Sequence, residues 1–414
     1  MISSVDQEEP KAILQHRPFV LFWFSRVATM IAFQMQAVAV GWQIYALTGS
    51  ALYLGLVGLA QFLPMFLLTL AVGHVADRYD RRIIARLCQI VEGLAAFALA
   101  WGSAAGWQSK ETILVIMVIV GATHAFEGPT MQSLLPSLVT GPLLPRALAW
   151  SASAMQTATI IGPALGGLLY TVSPTDVYAA AGGLFLSASV LLGLIRSGRA
   201  PVIREPASIK STFAGIAFIH SRPDVLGAIS LDLFAVLLGG ATALLPIYAR
   251  DILMTGPWGL GLLRSAPAVG ALAMSLFLAR RPLKRRVGRT MFIAVAIFGL
   301  ATIVFALSTS FLLSLATLAV LGAADVISVV IRHSLVQIET PDEMRGRVSA
   351  VNSLFIGTSN QLGEFESGIT AAWFGAVFAV LIGGIGTIIV VALWMRFFPQ
   401  LLQTDALDSR KESG

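Results

Sequence analysis

Ionisable side chains stand at several positions inside long apolar stretches of this 414-residue chain. A charged side chain at the centre of a membrane helix costs about 3 kcal/mol on insertion scales, so such residues are functional candidates. Burial disfavours the charged form of a carboxyl group, which makes proton uptake and release feasible near neutral pH. At each position a buried, hydrogen-bonded structural role is the alternative. The candidate proton-carrying or ion-pairing residues are Arg26, His124, Glu127, Asp232, Asp325 and Glu364.

The spacing of these residues suggests how they act together. Arg26 and Asp232 each lie about eight residues, or about 12 Å, into the first and seventh apolar stretches. We therefore predict an Arg26–Asp232 ion pair across the centre of the molecule, with a purely structural pair inside the bundle as the alternative. His124 and Glu127 are one helical turn apart and share a face. Glu127 and Asp325 are the preferred proton carriers, and Glu364 is the third candidate.

Membrane helices must position these residues. The chain is 56% hydrophobic and 12% charged, whereas soluble domains carry about 25% charged residues. A run of about 20 apolar residues crosses the hydrocarbon core as a helix. The sequence contains twelve such runs, with approximate limits 18–47, 52–76, 82–105, 112–137, 145–170, 176–196, 224–249, 257–280, 289–308, 311–335, 343–371 and 374–397.

The basic residues indicate the orientation of the chain. They give a net charge of +6 and concentrate in alternate loops, while the loops on the other side contain only Lys110 and Arg250. Because cytoplasmic loops carry the excess of Lys and Arg, both termini are predicted to be cytoplasmic in a multi-pass protein of the inner (plasma) membrane. The same asymmetry accounts for the positive charge without a nucleic-acid partner.

The densest group of charges lies between the second and third apolar runs, in the segment G-H-V-A-D-R-Y-D-R-R that starts at Gly73. This segment resembles the loop signature of the major facilitator superfamily, Gly-x-x-x-Asp-Arg-x-Gly-x-Arg-Arg/Lys. Asp80 replaces the usual glycine, as in the branch with enterobactin exporters and macrolide efflux pumps, which the chain resembles over nearly its whole length. A simple topological anchor is the alternative role. The residues assigned to this cytoplasmic gate motif are Gly73, Asp77, Arg78, Arg81 and Arg82.

The resemblance implies an all-α membrane protein with twelve transmembrane helices in two pseudo-symmetric six-helix bundles, the major facilitator fold. It also implies that Asp77 contacts the start of the eleventh helix near Met344 and so closes the cytoplasmic side. An internal repeat agrees with two related halves, because a shift of 201 residues places Gly167 on Gly368. The predicted divisions are a tail (1–17), a first bundle (18–196), a cytoplasmic linker with a surface helix (197–223), a second bundle (224–397) and a tail (398–414).

Two further groups of residues concern the path of a substrate. Small residues and a proline in the fifth run allow close helix packing, and they resemble part of the signature of efflux-type members of the superfamily, which favours export. This motif comprises Gly162, Pro163, Gly166 and Gly167. A packing role is its alternative. Polar side chains predicted to line a central cavity are Gln34, Gln156, Asn352, Asn360 and Gln361.

These features predict a secondary active transporter that exports a small amphiphilic molecule of the drug or siderophore class by proton-coupled alternating access. Uptake or lipid flipping by the same fold, and a non-transporting membrane sensor, are the alternatives. An enzyme is disfavoured, because the sequence has no Gly-Lys phosphate-binding loop and its histidines lack zinc-helix spacing. The expected partners are the lipid bilayer, the substrate and protons. We expect no cofactor, no metal and a monomeric chain.

Overall fold

The computed structural model describes residues 13–139, 141–195, 209–283 and 285–405, without the side chains of residues 14, 69–78, 209–213, 342, 350 and 354. Within these ranges the chain is helical and contains no strand. Twelve long helices are numbered here in chain order. The first six are α1 (Arg17–Thr48), α2 (Ala51–Arg78), α3 (Arg81–Ala105), α4 (Lys110–Leu138), α5 (Leu144–Val172) and α6 (Pro174–Gly193). The second six are α7 (Pro223–Ile252), α8 (Gly256–Arg280), α9 (Val287–Leu307), α10 (Phe311–Glu339), α11 (Asp342–Phe374) and α12 (Ala376–Phe397).

These helices correspond one to one to the twelve predicted apolar runs. Ten of them are long and apolar enough to cross a membrane. The other two, α5 and α11, are less apolar because they carry polar side chains such as Gln156 and Asn360 along their length. Lipid offers no partner for backbone groups, so continuous helices are the structure expected of such runs.

The loops define two faces of the helix bundle. The described chain begins and ends on one face, called the arginine-rich face here. Its loops and helix ends carry Arg81, Arg82, Arg222, Arg285, Arg286 and Arg345. On the opposite face the connections are short hairpins. Gly49 ends α1 with φ 60° and Gly106 ends α3 with φ 73°, and glycine adopts this left-handed conformation without a steric penalty.

Apolar packing joins the two halves towards the opposite face. One cluster of buried side chains there contains Met35 from the first half and Leu244 from the second. Towards the arginine-rich face, the described residues form separate clusters in each half, one around Phe22 and another around Phe292. The halves therefore share a core near the opposite face and have individual cores near the arginine-rich face.

Glycines mark the two places where the halves cross most closely. A Cβ atom added to Gly167 of α5 would lie 3.0 Å from the Cα of Gly261 in α8, and one added to Gly368 of α11 would lie 2.6 Å from the Cα of Gly55 in α2. Gly167 and Gly368 are the residues that the internal repeat places on each other. The two crossings are therefore equivalent contacts of a duplicated architecture, as the repeat predicts.

Helix α7 is interrupted, although the sequence predicts a continuous run over 224–249. Its α-helical part, Pro223–Leu238, ends at Gly239 and Gly240, and a 3₁₀ turn (Ala241–Leu244) and a π-helical turn (Tyr248–Ile252) follow. The glycines allow the backbone of α11 to approach, because a Cβ atom on Gly240 would lie 2.4 Å from the Gly363 carbonyl oxygen. Irregular backbone at membrane depth is tolerated where it lines a cavity.

The linker between the halves contains the helix that its apolar spacing predicts, over Ile209–Ser221. This helix packs on the first turns of α11, since a Cβ atom on Gly215 would lie 3.0 Å from the Arg347 carbonyl oxygen. Residues 197–208 of the predicted linker lie outside the described residues.

Candidate functional site

A cavity of about 440 Å³ lies where α5 of the first half meets α7, α8, α10 and α11 of the second. The interruption of α7 forms one wall, with Gly239 and Gly240 in its lining. Three ionisable side chains, Arg264, Asp325 and Glu364, face the cavity among apolar neighbours. Asp325 is at the middle of α10, so the cavity lies deep within the helix bundle. It can hold a small molecule and present both charge signs to it.

Arg264 and Glu364 bring opposite charges to the wall of this cavity. The Glu364 carboxylate also lies against α2 of the other half, where a Cβ atom on Gly58 would be 3.0 Å from Glu364 Oε2. Glu364 therefore belongs both to the cavity wall and to a crossing between the halves. A change in its charge would act on both.

A buried ion pair lies behind the cavity. Arg332 of α10 contacts Asp232 of α7 with 3.2 Å between Nη2 and Oδ2, and both side chains are less than 10% exposed. Arg332 also donates from Nη1 to Asn352 Oδ1 at 3.1 Å. Asp232 and Asp325 line a narrow space next to the main cavity. Asp325 thus lines both the main cavity and this narrow space, whereas Asp232 lines only the narrow space.

The predicted Arg26–Asp232 ion pair is wrong for this structure, because Asp232 pairs with Arg332 of its own half. Arg26 belongs to a second, smaller cavity of about 180 Å³ in the first half, where it faces Glu127 of α4. Each half thus matches a charge on its first helix with an opposite charge on its fourth, and the signs are reversed between the halves. Arg332 lies inside the tenth predicted run, so its charge was visible in the sequence, whereas its partner depends on helix packing.

His124 and Glu127 do share a face of α4, and both line the smaller cavity. The His124 ring stacks on Phe33 with 4.7 Å between ring centroids. Glu127 accepts a hydrogen bond from Gln89 Nε2 at 3.0 Å. Glu92 of α3, which sequence reasoning did not select, joins them: ligand atoms of Glu92, His124 and Glu127 all lie within 4.8 Å of one another.

The five amide residues predicted for the cavity have different environments. Gln156 and Asn360 line the cavity, and Gln156 Nε2 donates to the Ala268 carbonyl oxygen of the other half at 2.7 Å. Asn352 is buried and accepts the bond from Arg332. Gln34 packs on Gly162 of α5, and Gln361 lies next to Gly58 of α2.

The α5 motif packs against two helices at once. Cβ atoms on Gly162 and Gly166 would lie 2.6 Å from Gln34 Cβ and 2.8 Å from Met35 Cα, both in α1. Pro163 and Gly167 face α8, and a Cβ atom on Gly261 would be 2.4 Å from the Pro163 carbonyl oxygen. The motif therefore positions α5 between its own half and the other one.

In the gate motif, two arginines tie the hairpin to neighbouring helices. Arg81 donates to the Ser133 carbonyl oxygen at 3.5 Å, and Arg82 to the Ile195 carbonyl oxygen at 2.9 Å. Asp80 caps α3 by accepting from the Arg82 backbone N–H at 2.9 Å and also pairs with the Arg82 side chain at 2.7 Å. The Arg82 guanidinium lowers the pKa of the Asp80 carboxyl group.

The side chains of the remaining motif residues, Gly73, Asp77 and Arg78, are outside the described set. The predicted contact of Asp77 with the start of α11 therefore stays a prediction.

A polar contact joins the halves at the opposite face. The Tyr45 hydroxyl of α1 donates to Asp251 at the end of α7. Arg250 donates from Nη1 to the Tyr45 carbonyl oxygen at 3.2 Å and lies over the Tyr45 ring. The contact is called the Tyr45 tie below. Together with the shared apolar core, it joins the two halves on this side of the molecule.

The sequence as a whole matches one family. The family model described as "Transmembrane secretion effector" matches residues 9–413. The chain belongs to this family, within the major facilitator superfamily. It is also similar to proteins named "Enterobactin exporter EntS", at 26% identity in Citrobacter koseri and 24% in Shigella boydii, with 93% of each chain covered.

Solved structures agree on the fold. The chain is similar to a bacterial homologue of the human lysosomal transporter Spinster in an inward-facing, unoccupied conformation, with a TM-score of 0.74 and 14% identity over 93% of this chain and 98% of that chain. It is also similar to a bacterial homologue of the iron transporter ferroportin, with a TM-score of 0.70 and 16% identity over 93% and 99%. The predicted fold class is confirmed, and the chain is a multi-pass membrane transporter rather than an enzyme.

Proposed function

We propose that this transporter exports a small amphiphilic molecule of the siderophore or drug class in exchange for protons. The observation that carries the proposal is the cavity of about 440 Å³ at the joint of the two halves, with Arg264, Asp325 and Glu364 in a largely apolar wall. Such a wall suits a molecule with both apolar and charged parts. The curated relatives named as enterobactin exporters support the direction and the siderophore class.

The way in which the halves are joined supports a mechanism of alternating access. The shared core and the Tyr45 tie hold them together at the opposite face. The basic residues of the arginine-rich face support a cytoplasmic location for that face. A conformation whose halves are joined at the opposite face would therefore take up substrate from the cytoplasm. Rocking of the halves about the two glycine crossings would then open the opposite side and close the arginine-rich side.

Asp325 is the proposed proton carrier. It faces the main cavity, and it also lines the narrow space that reaches Asp232. Asp232 forms an ion pair with Arg332, and Arg332 donates a hydrogen bond to Asn352. These contacts suit a fixed ion pair more than a group that exchanges protons. Glu364 is proposed to couple charge to conformation, because it shares the cavity wall with Arg264 and lies against Gly58 at the crossing.

Transport into inside-out membrane vesicles tests the proposal. Vesicles containing the transporter would be supplied with a panel of catecholate siderophores and amphiphilic drugs, with an acidic lumen or with no pH gradient. We expect accumulation of at least one compound that is faster with the acidic lumen. If collapse of the gradient leaves the rate unchanged, proton exchange is rejected; if no compound of the panel moves, the proposed substrate class is rejected.

A matched pair of variants separates proton coupling from binding. Asp325→Asn should lose gradient-driven accumulation while it retains exchange of labelled for unlabelled substrate at equal pH, because exchange needs no net proton movement. Glu111→Gln is the control, because its side chain is 69% exposed at the end of α4. Unchanged gradient-driven accumulation in Asp325→Asn would contradict the assignment of Asp325.

A further inference from the structure

The cluster of Glu92, His124 and Glu127 is not needed for the proposed transport cycle, yet its geometry is unusual. Two carboxyl groups and one imidazole from α3 and α4 have their ligand atoms within 4.8 Å of one another. Glu92 is 1% exposed and Glu127 is 4% exposed. Two buried carboxylates this close repel each other unless a positive species lies between them.

The neighbouring donors do not satisfy this cluster. Thr123 donates to Glu92 Oε1 at 3.1 Å, and Gln89 donates from Nε2 to Glu127 Oε1 at 3.0 Å. Glu92 Oε2 and His124 Nδ1 are buried without a hydrogen-bond partner among the described residues, and so is Gln89 Oε1. Gln89 is completely buried, and its amide group points into the cluster. The cluster therefore contains buried acceptor atoms of Glu92 and His124 that no described donor reaches.

We propose that Glu92, His124 and Glu127 bind one divalent transition-metal ion of the Zn²⁺, Mn²⁺ or Fe²⁺ type. The two carboxylates supply charge and oxygen ligands, and a neutral imidazole nitrogen selects these ions over Mg²⁺ and Ca²⁺, which prefer oxygen alone. None of the ionisable residues that line the main cavity takes part, so the inference goes beyond the proposed export function.

The smaller cavity provides access for the ion. His124 and Glu127 both line this space of about 180 Å³, together with Gln132. Arg26 faces Glu127 from the same cavity and is the one cation that opposes the metal there among the described residues. Removal of the Arg26 charge should therefore tighten metal binding, which a cluster of purely structural hydrogen bonds would not predict.

Metal binding to the full-length protein tests the proposal. The untagged protein, purified in detergent micelles, would be titrated with Zn²⁺ by calorimetry and with Co²⁺ by visible absorption. We expect one ion per chain and a Co²⁺ spectrum that shows mixed nitrogen and oxygen ligands. Glu92→Gln, His124→Gln and Glu127→Gln should each weaken binding by at least about tenfold, and Arg26→Gln should strengthen it.

Matched controls keep the test specific. His333→Gln and Glu364→Gln remove an imidazole and a carboxylate elsewhere in the membrane region, and they should leave the affinity unchanged. Size-exclusion profiles and thermal melts establish that every variant is folded. The proposal is overturned if the folded wild type binds neither Zn²⁺ nor Co²⁺. It is also overturned if the three cluster variants bind the metal as tightly as the wild type does. In either case the two carboxyl groups of Glu92 and Glu127 share a proton instead. Neither result bears on the flux measurements, which report on the main cavity.

Discussion

At the scale of single residues, the pairing of Asp232 with Arg332 decides how the second half holds its interior charge. Of the ion pairs formed by the described residues, this one has the least exposed side chains, at 3% for Arg332 and 7% for Asp232. A buried pair is weak evidence for stability by itself, but removal of one partner leaves an uncompensated charge away from water. The pair is therefore best tested by comparing single and double substitutions.

We predict that Asp232→Asn lowers the stability of the protein by about 3–5 kcal/mol, because Arg332 stays buried without a carboxylate. Asp232→Asn combined with Arg332→Gln should recover at least half of this loss. Thermal unfolding in detergent measures both, with the exposed-site variant Glu111→Gln as the control. A double variant no more stable than the single one would show that the two side chains are not coupled.

Asp80 offers a second test at the residue scale, outside the membrane-spanning segments. Arg82 lowers the pKa of Asp80 below its usual value of 3.8. A depressed pKa in the folded state contributes stability above the unfolded pKa, and this contribution is lost as the pH falls through the folded value. The wild type should therefore exceed Asp80→Asn in stability at pH 7, and the difference should shrink as the pH falls below 3.8 and vanish once it is below the lowered pKa of the folded state.

The comparison of two Asp80 variants separates charge from helix capping. Asp80→Asn keeps a cap acceptor for the Arg82 N–H, whereas Asp80→Ala loses it and should cost about 1 kcal/mol more at any pH. Unfolding curves at several pH values give both quantities. Equal stability of the Asn and Ala variants at pH 7 would mean that the cap seen here does not contribute.

At the scale of helices, the contacts between the halves depend on glycine pairs. A Cβ atom on Gly368 would meet the backbone of Gly55, which cannot rotate away as a side chain could. We predict that Gly368→Ala forces this crossing apart, lowers stability by about 1–3 kcal/mol and slows transport. The control is Gly183→Ala in α6, where an added Cβ atom has no neighbour within 4 Å.

Thermal melts and vesicle flux measure this effect. A Gly368→Ala variant as stable and as active as Gly183→Ala would show that the crossing tolerates a wider spacing. Gly167→Ala at the equivalent crossing should behave like Gly368→Ala, because the two sites are related by the internal repeat.

The sequence predicts helices better than it predicts contacts between them, for a physical reason. The length of an apolar run is a local property, so all twelve helices were found, and the small residues of α5 gave the duplicated packing motif. The direction in which Glu92 faces could not be predicted, because its place next to His124 is set by how α3 packs on α4. The interruption of α7 was missed for a similar reason: Gly239-Gly240 is compatible with a continuous helix until α11 approaches it.

At the scale of the whole molecule, the Tyr45 tie should control access from the opposite face. We predict that Tyr45→Cys with Asp251→Cys, joined by a short cleavable bis-thiosulfonate reagent, traps the cavity closed on that face and stops transport. Reduction of the linker should restore it. The single native cysteine, Cys88, is buried, so the wild type treated in the same way is the control.

The same experiment reports on orientation. Reagent added to intact cells should reach both cysteines if the opposite face is external, as the distribution of arginines predicts. Efficient cross-linking without any loss of transport would argue against closure of this face as a step of the cycle.

The charge pairs inside each half have a consequence for biosynthesis. Arg26 and Glu127 line one cavity within the first half, and Asp232 pairs with Arg332 within the second. When only the first six helices have been inserted into the bilayer, Arg26 and Glu127 thus already lie in the same half. Neither of them depends on a residue that has not yet been synthesised. Each half can fold in turn, and the glycine crossings and the shared apolar core then join the two halves.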